Sequence, residues 1–550
     1  MLTLGINVSG HDSSVALVAD GCLQFAVAEE RLSRRKHDPD FPADAVAAAL
    51  DFAGATLDDV DAVGMSCPFD SLVMLNRLRL VLGGKVPFSW FNLRDPVIGL
   101  GYRRPVRLAT RGLGRPVAWW SHHECHALWG AATTGQDDCA VLVADEKGAR
   151  SATTIWHFRR GRLRLRHRVD YPNSLGLFYA ACTQHLGFQP LSDEWKVMGL
   201  AAYGSPGVDV SPLLRVHQHG YTANGRVLHG RYPGDLSGVA AVLGPPRRPD
   251  QQITDRHRDI AFAVQDATER AMLALARAAH RLTGSAALCV VGGVALNCRA
   301  NGRVAAQGQF SRVYVPPAAG DDGSAAGAAL ALPYHRGRLL RDGPLRDARL
   351  GRRWPLERIE ALLHTCGLRF RRVAEPAEVT AAHLAEGRVV ARFSGRSEFG
   401  ARALGARSIL AHPGDPAMRD RLNAAVKYRE PWRPFAPVVL AEEGARYFAD
   451  FCACPFMTRT FPALPAAREH APAVVHADGT ARVQSVARRD DPELWQVLRG
   501  FQRRTGVPML LNTSFNLRGE PIVDSPHDAL RTFYTSGLDV LMLECFEVTK

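Results

Sequence analysis

Two groups of side chains in this sequence have the types and spacing of reactive sites. The first lies between Val389 and Pro437. There an apolar run, Val389 to Phe393, stops at Ser394-Gly395 and delivers Arg396, Glu398, Arg402 and Arg407; a helical run then leads to Lys427, Arg429 and Arg433. Guanidinium groups meet oxyanions through paired donors, so this density of cations reads as an oxyanion pocket or as a solvated basic face. Phe393, Phe399, Trp432 and Phe435 interleave with the charges and favour the pocket, because buried cations need an anionic partner. The second group is His122-His123-Glu124-Cys125-His126, whose outer histidines are four apart and share a helix face. That spacing suits two ligands of one metal ion, and it is not the metalloprotease motif, since His rather than Glu follows His122. Asp145 closes the apolar run Val141 to Ala144, and Asp321 follows Gly320 beyond Pro316-Pro317. Two histidines with two such carboxylates suit iron(II), manganese or zinc. Near the start, Ser9-Gly10-His11-Asp12 offers a histidine with the chemistry of a general base near neutral pH.

These residues need elements to hold them. Leu2 to Val8, Val15 to Val18 and Leu23 to Ala28 read as strands separated by polar turns, and Val117 to Ser121 as a strand before the histidine helix. Ser151 to Phe158 and Leu163 to Val169 read as a strand pair, and Ser174 as the cap of the next helix. Asp259 to Leu282 carries Ile260, Val264, Ala271 and Leu275 along one stripe, which predicts a long amphipathic helix. Leu288 to Val291 is a buried strand turned by Gly292-Gly293 into Val294-Ala-Leu-Asn297. A glycine pair at such a junction lets a nucleotide lie against bare backbone and a helix amino end. Residues 68 to 116 read as a variable segment that could face a substrate. Residues 205 to 256 read as an excursion, and about 333 to 375, rich in Arg, Pro and Gly, as a linker. Val507 to Leu511 is a last buried strand, ending at Asn512.

At 550 residues the chain should form at least two domains. The net charge of +13 raises the question of nucleic acid, but the basic residues are spread along the chain without a polybasic tail or an aromatic-basic stripe. The lysines are Lys36, Lys85, Lys147, Lys196, Lys427 and Lys550 only, so the surplus is arginine and reads as a coding skew. No nucleic-acid partner is expected. Eleven cysteines without a CxxC pair point to a reducing cytoplasm, and Cys452 and Cys454 form a CxC that alone says little about metal. The amino terminus lacks a signal-peptide plan and no apolar run could span a bilayer, so no membrane association is expected. No GxxxxGK[ST] occurs, so ATP use would be of a non-P-loop kind.

The wording of several segments is similar to that of the NodU/CmcH family of O-carbamoyltransferases. EFGARALGARSIL, LNAAVKYREPWRPFAP and NTSFNLRGEPIV resemble its carboxy-terminal half, while GHDSS, EERLSRRKHD, EWKVMGLAAYG and GGVALN resemble its amino-terminal half. The resemblance implies an α/β chain in two parts. Residues 1 to 345 would be an actin-like metal, nucleotide and transfer domain, and residues 346 to 550 a YrdC-like α/β domain that handles carbamoyl phosphate. It implies His122, His126, Asp145 and Asp321 as ligands of a divalent metal, with iron the usual assignment, and His11 and Asp12 near the transfer site. Lys196, Gly292, Gly293, Asn297 and Gly320 would attend ATP. Arg402, Lys427, Arg429, Arg433, His476, Arg482, Asn512 and Arg518 would attend carbamoyl phosphate. The product would be a carbamoylated hydroxyl on a small-molecule acceptor, the family modifying nodulation sugars, aminoglycosides, cephems and polyketides, which suggests antibiotic or related biosynthesis. A sugar kinase of the actin-like fold and an RNA-binding relative of tRNA-modifying enzymes are the competing readings. The sequence departs from the family pattern at Asp145-Glu-Lys-Gly148-Ala, where Glu146 stands for a glycine and Ala149 for an acid. Ala401 and Ala406 likewise replace a usual Pro and Asn.

Overall fold

The structure is a computed structural model of the chain, and it describes residues 1–8, 11–67, 113–148, 150–228, 235–337, 343–430 and 432–550. Most of the segment read as variable, 68 to 116, lies outside these residues. The chain forms two compact units, the first made of 1–26 and 37–345, the second of 27–36 and 346–550.

The first unit repeats one topology twice. Strands β1 (Leu2–Asn7), β2 (Ser14–Ala19), β3 (Cys22–Ala28), β4 (Ala62–Cys67) and β5 (Val117–Ser121) form a sheet in the order β3-β2-β1-β4-β5. β1 runs antiparallel to β2 and parallel to β4, which runs parallel to β5. The second sheet uses β6 (Asp138–Ala144), β7 (Ser151–Arg159), β8 (Arg162–Asp170), β11 (Ala287–Val291) and β12 (Arg312–Tyr314), in the order β12-β11-β6-β7-β8. Again the first strand is central, with antiparallel strands on one side and a parallel pair on the other. This doubled unit is the actin-like arrangement. A hairpin of β9 (Leu214–His217) and β10 (Gly220–Ala223) occupies part of the excursion. The long helix spans Asp255–Thr283 and buries its predicted stripe.

Helix His122–Thr133 and the Ala-rich helix Ser324–His335 bring the polar residues together, and both are almost wholly buried. Their tight packing is a matter of small side chains. A Cβ on Gly64 of β4 would fall 2.1 Å from the Ala328 carbonyl oxygen, and one on Gly327 would fall 1.8 Å from that of Cys125. At that approach any larger residue displaces the helix.

The second unit surrounds an eight-stranded mixed sheet in the order β13-β22-β21-β14-β15-β20-β16-β19. Its strands are β13 (Phe370–Arg372), β14 (Val390–Phe393), β15 (Arg407–Ala411), β16 (Ala436–Leu440), β19 (Gln484–Val486), β20 (Met509–Ser514), β21 (Val540–Leu543) and β22 (Phe546–Thr549). A separate pair, β17 (Thr460–Pro462) and β18 (Thr480–Arg482), lies in the same unit. Both faces of the sheet are covered: Ala391, Phe393 and Ile409 join one apolar cluster, and Val390, Leu410 and Val438 the other. That is why its central strands read as unbroken apolar runs.

One expectation fails here. Residues 333 to 375 are not a linker throughout. Helix Leu356–Thr365 buries Ile359 and Leu363 completely in the second unit's core, and β13 joins its sheet. Arginine, proline and glycine content misled because the two apolar anchors are few and four apart. The sequence also gave no sign that 27–36 belongs to the second unit. Helix Glu29–Ser33 is fixed there by Arg31, whose Nη2 donates to the Gly400 carbonyl at 2.7 Å, and by Arg34, which donates to the carbonyls of Ile522 and Pro521 at 2.7 and 2.8 Å.

Candidate functional site

In the first unit the four predicted ligands converge. His122 Nε2 lies 3.1 Å from Asp145 Oδ2, 3.3 Å from Asp321 Oδ1 and 3.1 Å from His126 Nε2. His126 Nε2 lies 3.4 Å from Asp321 Oδ1 and 3.7 Å from Asp145 Oδ2. Metal–ligand bonds of about 2.0–2.2 Å place neighbouring donors roughly 2.8–3.6 Å apart, so the spacing fits a coordination shell. The surroundings fit as well. Ser66 Oγ is 3.1 Å from His122 Nδ1, which reserves Nε2 for an ion. Asp145 Oδ1 accepts the Glu146 and Gly293 amides at 2.8 and 3.2 Å, which leaves Oδ2 facing the histidines.

Electrostatics support the same use. Burial opposes charge on His122, but Asp321 and Asp145 outweigh it and raise its pKa to about 10; His126 is raised by the same carboxylates. Burial would likewise neutralise Asp145 and Asp321, yet the imidazoles hold both below the usual carboxylate range. Two protons therefore balance two carboxylates where one divalent cation would do so. His123 is no ligand: its Nδ1 meets Thr154 Oγ1 at 3.1 Å and burial pushes its pKa down to about 3.

His11 and Asp12 join this centre. His11 Nε2 is 3.8 Å from Asp321 Oδ2, and its Nδ1 is 2.9 Å from Asp12 Oδ2. The other Asp12 oxygen, Oδ1, is 2.7 Å from His37 Nδ1. His37 and Ser66 are the residues that sequence reasoning missed. Each stands far along the chain from its partner, and only the KHD of EERLSRRKHD hinted at the former.

The residues expected to attend ATP divide. Gly292 has φ +91°, and a Cβ there would fall 2.4 Å from the Ala144 carbonyl oxygen, so only glycine lets the turn close on the end of β6. Gly293 holds Asp145, and Gly320 leads directly into Asp321. Asn297, by contrast, caps helix Cys298–Gln307 through the Ala300 amide and pairs reciprocally with the Gln265 side chain. Lys196 is paired with Asp193 at 2.8 Å.

In the second unit the basic stretch also divides. Arg407 is fully buried, donates to the carbonyls of Ser394, Ala406 and Gly395, and lies over the Phe393 ring. Arg396 ties the Gly351 and Leu350 carbonyls, and Glu398 Oε1 accepts the amides of Leu404, Ala406 and Arg407. These three hold the loop. Lys427 ends a π-helical turn, Asn423–Lys427, a form frequent at functional sites, and its ammonium meets Ser514 and Asn516 oxygens. Burial, then Arg429 and Arg433, push its pKa far down. Burial, Arg433 and Arg482 push Arg429 down to about 8, against Glu430 alone. Lys427, Arg429, Arg433 and Arg482 thus form a cluster of like charge, and Arg482 Nε is buried without a hydrogen-bond partner among the described residues.

The remaining candidates have other settings. His476 closes the turn before β18, its amide on the Thr480 carbonyl. Asn512 is buried and donates to Gln484 and Ala403. Arg518 is exposed and reaches the Tyr428 carbonyl at 3.4 Å, and Arg402 is half-buried. Cys452 and Cys454 engage Arg459 and Thr458, not a shared metal cluster.

Comparison with known proteins bears on both units. A family model described as the carbamoyltransferase N-terminus matches residues 2–66 and 102–330, and one described as the carbamoyltransferase C-terminus matches 381–550. Nodulation protein NolNO of Sinorhizobium fredii is 34% identical over 566 residues, covering 99% of this chain and 80% of that protein. Nodulation protein U of the same species is 36% identical, covering 94% of each. Among solved structures, component A of (R)-2-hydroxyglutaryl-CoA dehydratase from Acidaminococcus fermentans aligns with 60% of this chain at 14% identity and a TM-score of 0.34, too distant to argue from. With both family models matched in order and relatives 34% and 36% identical over most of their length, the chain belongs to the carbamoyltransferase family, and it is an enzyme that transfers a carbamoyl group.

Proposed function

We propose that this carbamoyltransferase is ATP-dependent and works through carbamoyl adenylate. Carbamoyl phosphate and water give carbamate and phosphate; carbamate attacks the α-phosphorus of ATP, releasing pyrophosphate. An acceptor hydroxyl then takes the carbamoyl group, and AMP leaves. The observation that carries this reading is the cluster Lys427, Arg429, Arg433 and Arg482, whose crowded like charges call for a phosphate-bearing anion.

The chain's residues take separate tasks. The four cations bind and orient carbamoyl phosphate. Backbone at Gly292, Gly293 and Gly320 lies beside the ligand carboxylates, where a nucleotide phosphate could approach it. His11, Nδ1 toward Asp12 and Nε2 toward Asp321, is placed to take the acceptor proton. A divalent ion held by His122, His126, Asp145 and Asp321, iron(II) being our first assignment, would supply positive charge for phosphate or carbonyl oxygens. The acceptor is assigned as a sugar-containing or other hydroxylated natural product, in line with antibiotic or related biosynthesis, with neither nucleic acid nor membrane as partner. A cytoplasmic location is part of the proposal; no helix among the described residues is long and apolar enough to cross a membrane.

Incubation with carbamoyl phosphate, ATP and a panel of hydroxylated compounds tests the reading. Pyrophosphate and AMP are expected, with a carbamoyl group gained by one acceptor. Release of ADP instead would make the protein a kinase and overturn it.

A further inference from the structure

The contacts of Asp12 are unusual for a loop carboxylate. Each of its oxygens meets a different imidazole nitrogen, His11 Nδ1 on Oδ2 at 2.9 Å and His37 Nδ1 on Oδ1 at 2.7 Å. The backbone is committed to the same end. Asp12 has φ +57° and His37 φ +54°, conformations that non-glycine residues seldom adopt. The two turns are also clasped independently of these side chains. Asn7 Nδ2 donates to the Asp12 carbonyl at 3.1 Å, and the Ser13 amide donates to the Asp38 carbonyl at 3.0 Å. Backbone strain of this kind is retained where the surroundings over-determine a functional geometry.

We propose that His37 is a positioning residue for carbamoyl transfer: by donating from Nδ1 to one oxygen of Asp12, it fixes the carboxylate so that the other oxygen holds His11 as its Nδ1–H tautomer, with Nε2 turned toward the metal-ligand cluster. The inference rests on the reading of His11 as the proton acceptor. A carboxylate held on one oxygen only can turn about its Cβ–Cγ bond and no longer dictates the imidazole's tautomer or plane. Held on both, it does. In the transfer step the acceptor oxygen bonds to the carbamoyl carbon, the carbon–oxygen bond to AMP breaks, and the hydroxyl proton passes to His11 Nε2. Asp12 then faces the imidazolium that forms, the role of the carboxylate in nucleophile–histidine–carboxylate triads. The contact of His37 with this group is the one to Asp12 Oδ1, and it acts through that carboxylate.

The test is nitrogen-15 NMR of histidine-labelled, zinc-loaded full-length protein, with the His11 signals assigned by their loss in His11→Asn. Zinc loading puts a cation on Asp321, whose Oδ2 lies 3.8 Å from His11 Nε2, so that the ring is read beside an occupied centre. The wild type should show His11 with its proton on Nδ1. His37→Ala should mix the two tautomers, while His37→Asn, whose amide nitrogen can occupy the place of Nδ1, should restore the single one. Zinc content and melting temperature, read alongside, should match the wild type in His37→Asn. An unchanged His11 tautomer in His37→Ala would overturn the proposal. So would mixing in a His37→Asn protein that melts and binds zinc like the wild type. The underlying enzymatic reading fails separately, if the wild type makes no pyrophosphate from ATP and carbamoyl phosphate.

Discussion

In the first unit two imidazoles face two carboxylates, so the metal-ligand cluster is balanced in charge before any ion arrives. In the second, burial and the charges of Arg429 and Arg433 depress the protonation of Lys427, and burial, Arg433 and Arg482 depress that of Arg429, with Glu430 opposing. The difference is instructive about what each centre can wait for. A balanced cluster is stable without its ligand and exchanges protons for a cation. A cluster of like charges is destabilising without its ligand and gains from an anion twice, through the new contacts and through the repulsion relieved.

The sharpest way to break this comparison is to remove one balanced partner. His126→Ala should take the purified protein from about one divalent ion per chain to none, measured by metal analysis, because the ion would lose a buried ligand and leave two carboxylates facing one imidazole. Retained metal would mean that the four side chains are not the site.

A buried cation that serves structure should behave differently from one that serves an anion. Arg407→Ala should lower unfolding free energy by about 3–5 kcal/mol, because three carbonyls and the Phe393 ring lose their partner. Denaturant titration reads this directly, and a loss under 1 kcal/mol would place Arg407 with the binding cations instead.

Lys427→Ala should instead weaken carbamoyl phosphate use by roughly ten- to a hundredfold, the effect of losing one charge-assisted bond of about 1.5–3 kcal/mol. Inorganic phosphate should raise the melting temperature of the wild type and not of this variant. Normal turnover at low carbamoyl phosphate would place the anion elsewhere.

The smallest effect concerns a histidine at neither centre. His185 is buried with both ring nitrogens lacking hydrogen-bond partners among the described residues. Burial first, then His257 and Arg256, lower its pKa from 6.5 to about 4. The unfolded chain binds the proton more readily, so stability should be full above pH 6.5 and fall as pH drops toward 4. His185→Leu should flatten that slope in melting curves, and an unchanged slope would show that other groups set it.

Much of this was legible in the amino-acid sequence because it is local. The apolar runs at Leu2, Val141, Leu288 and Val389 became strands, and the four-residue spacing of His122 and His126 put both imidazoles on one helix face. What was not legible is partnership across distance. Nothing near Arg407 in sequence says that its guanidinium will be held by three carbonyls whereas that of Arg429 will share its surroundings with the charges of Arg433 and Arg482. Nothing near His37 names Asp12. Lys196 stood out as a rare lysine in a specific motif, and the acid it pairs with, Asp193, was only three residues away in the sequence. The linker reading failed for a related reason, since composition cannot show that Ile359 and Leu363 find a core supplied by strands from Val390 to Thr549.

The placement of residues 27–36 in the second unit has a consequence for synthesis in the cell. Arg34 hydrogen-bonds to Ile522, 488 positions later. At about 5–20 residues per second, helix Glu29–Ser33 leaves the ribosome roughly 25–100 seconds before the carbonyls that hold Arg34 are made. For that interval it lacks these partners, so the second unit cannot complete its fold until Pro521 and Ile522 have been made, however early its other strands are ready.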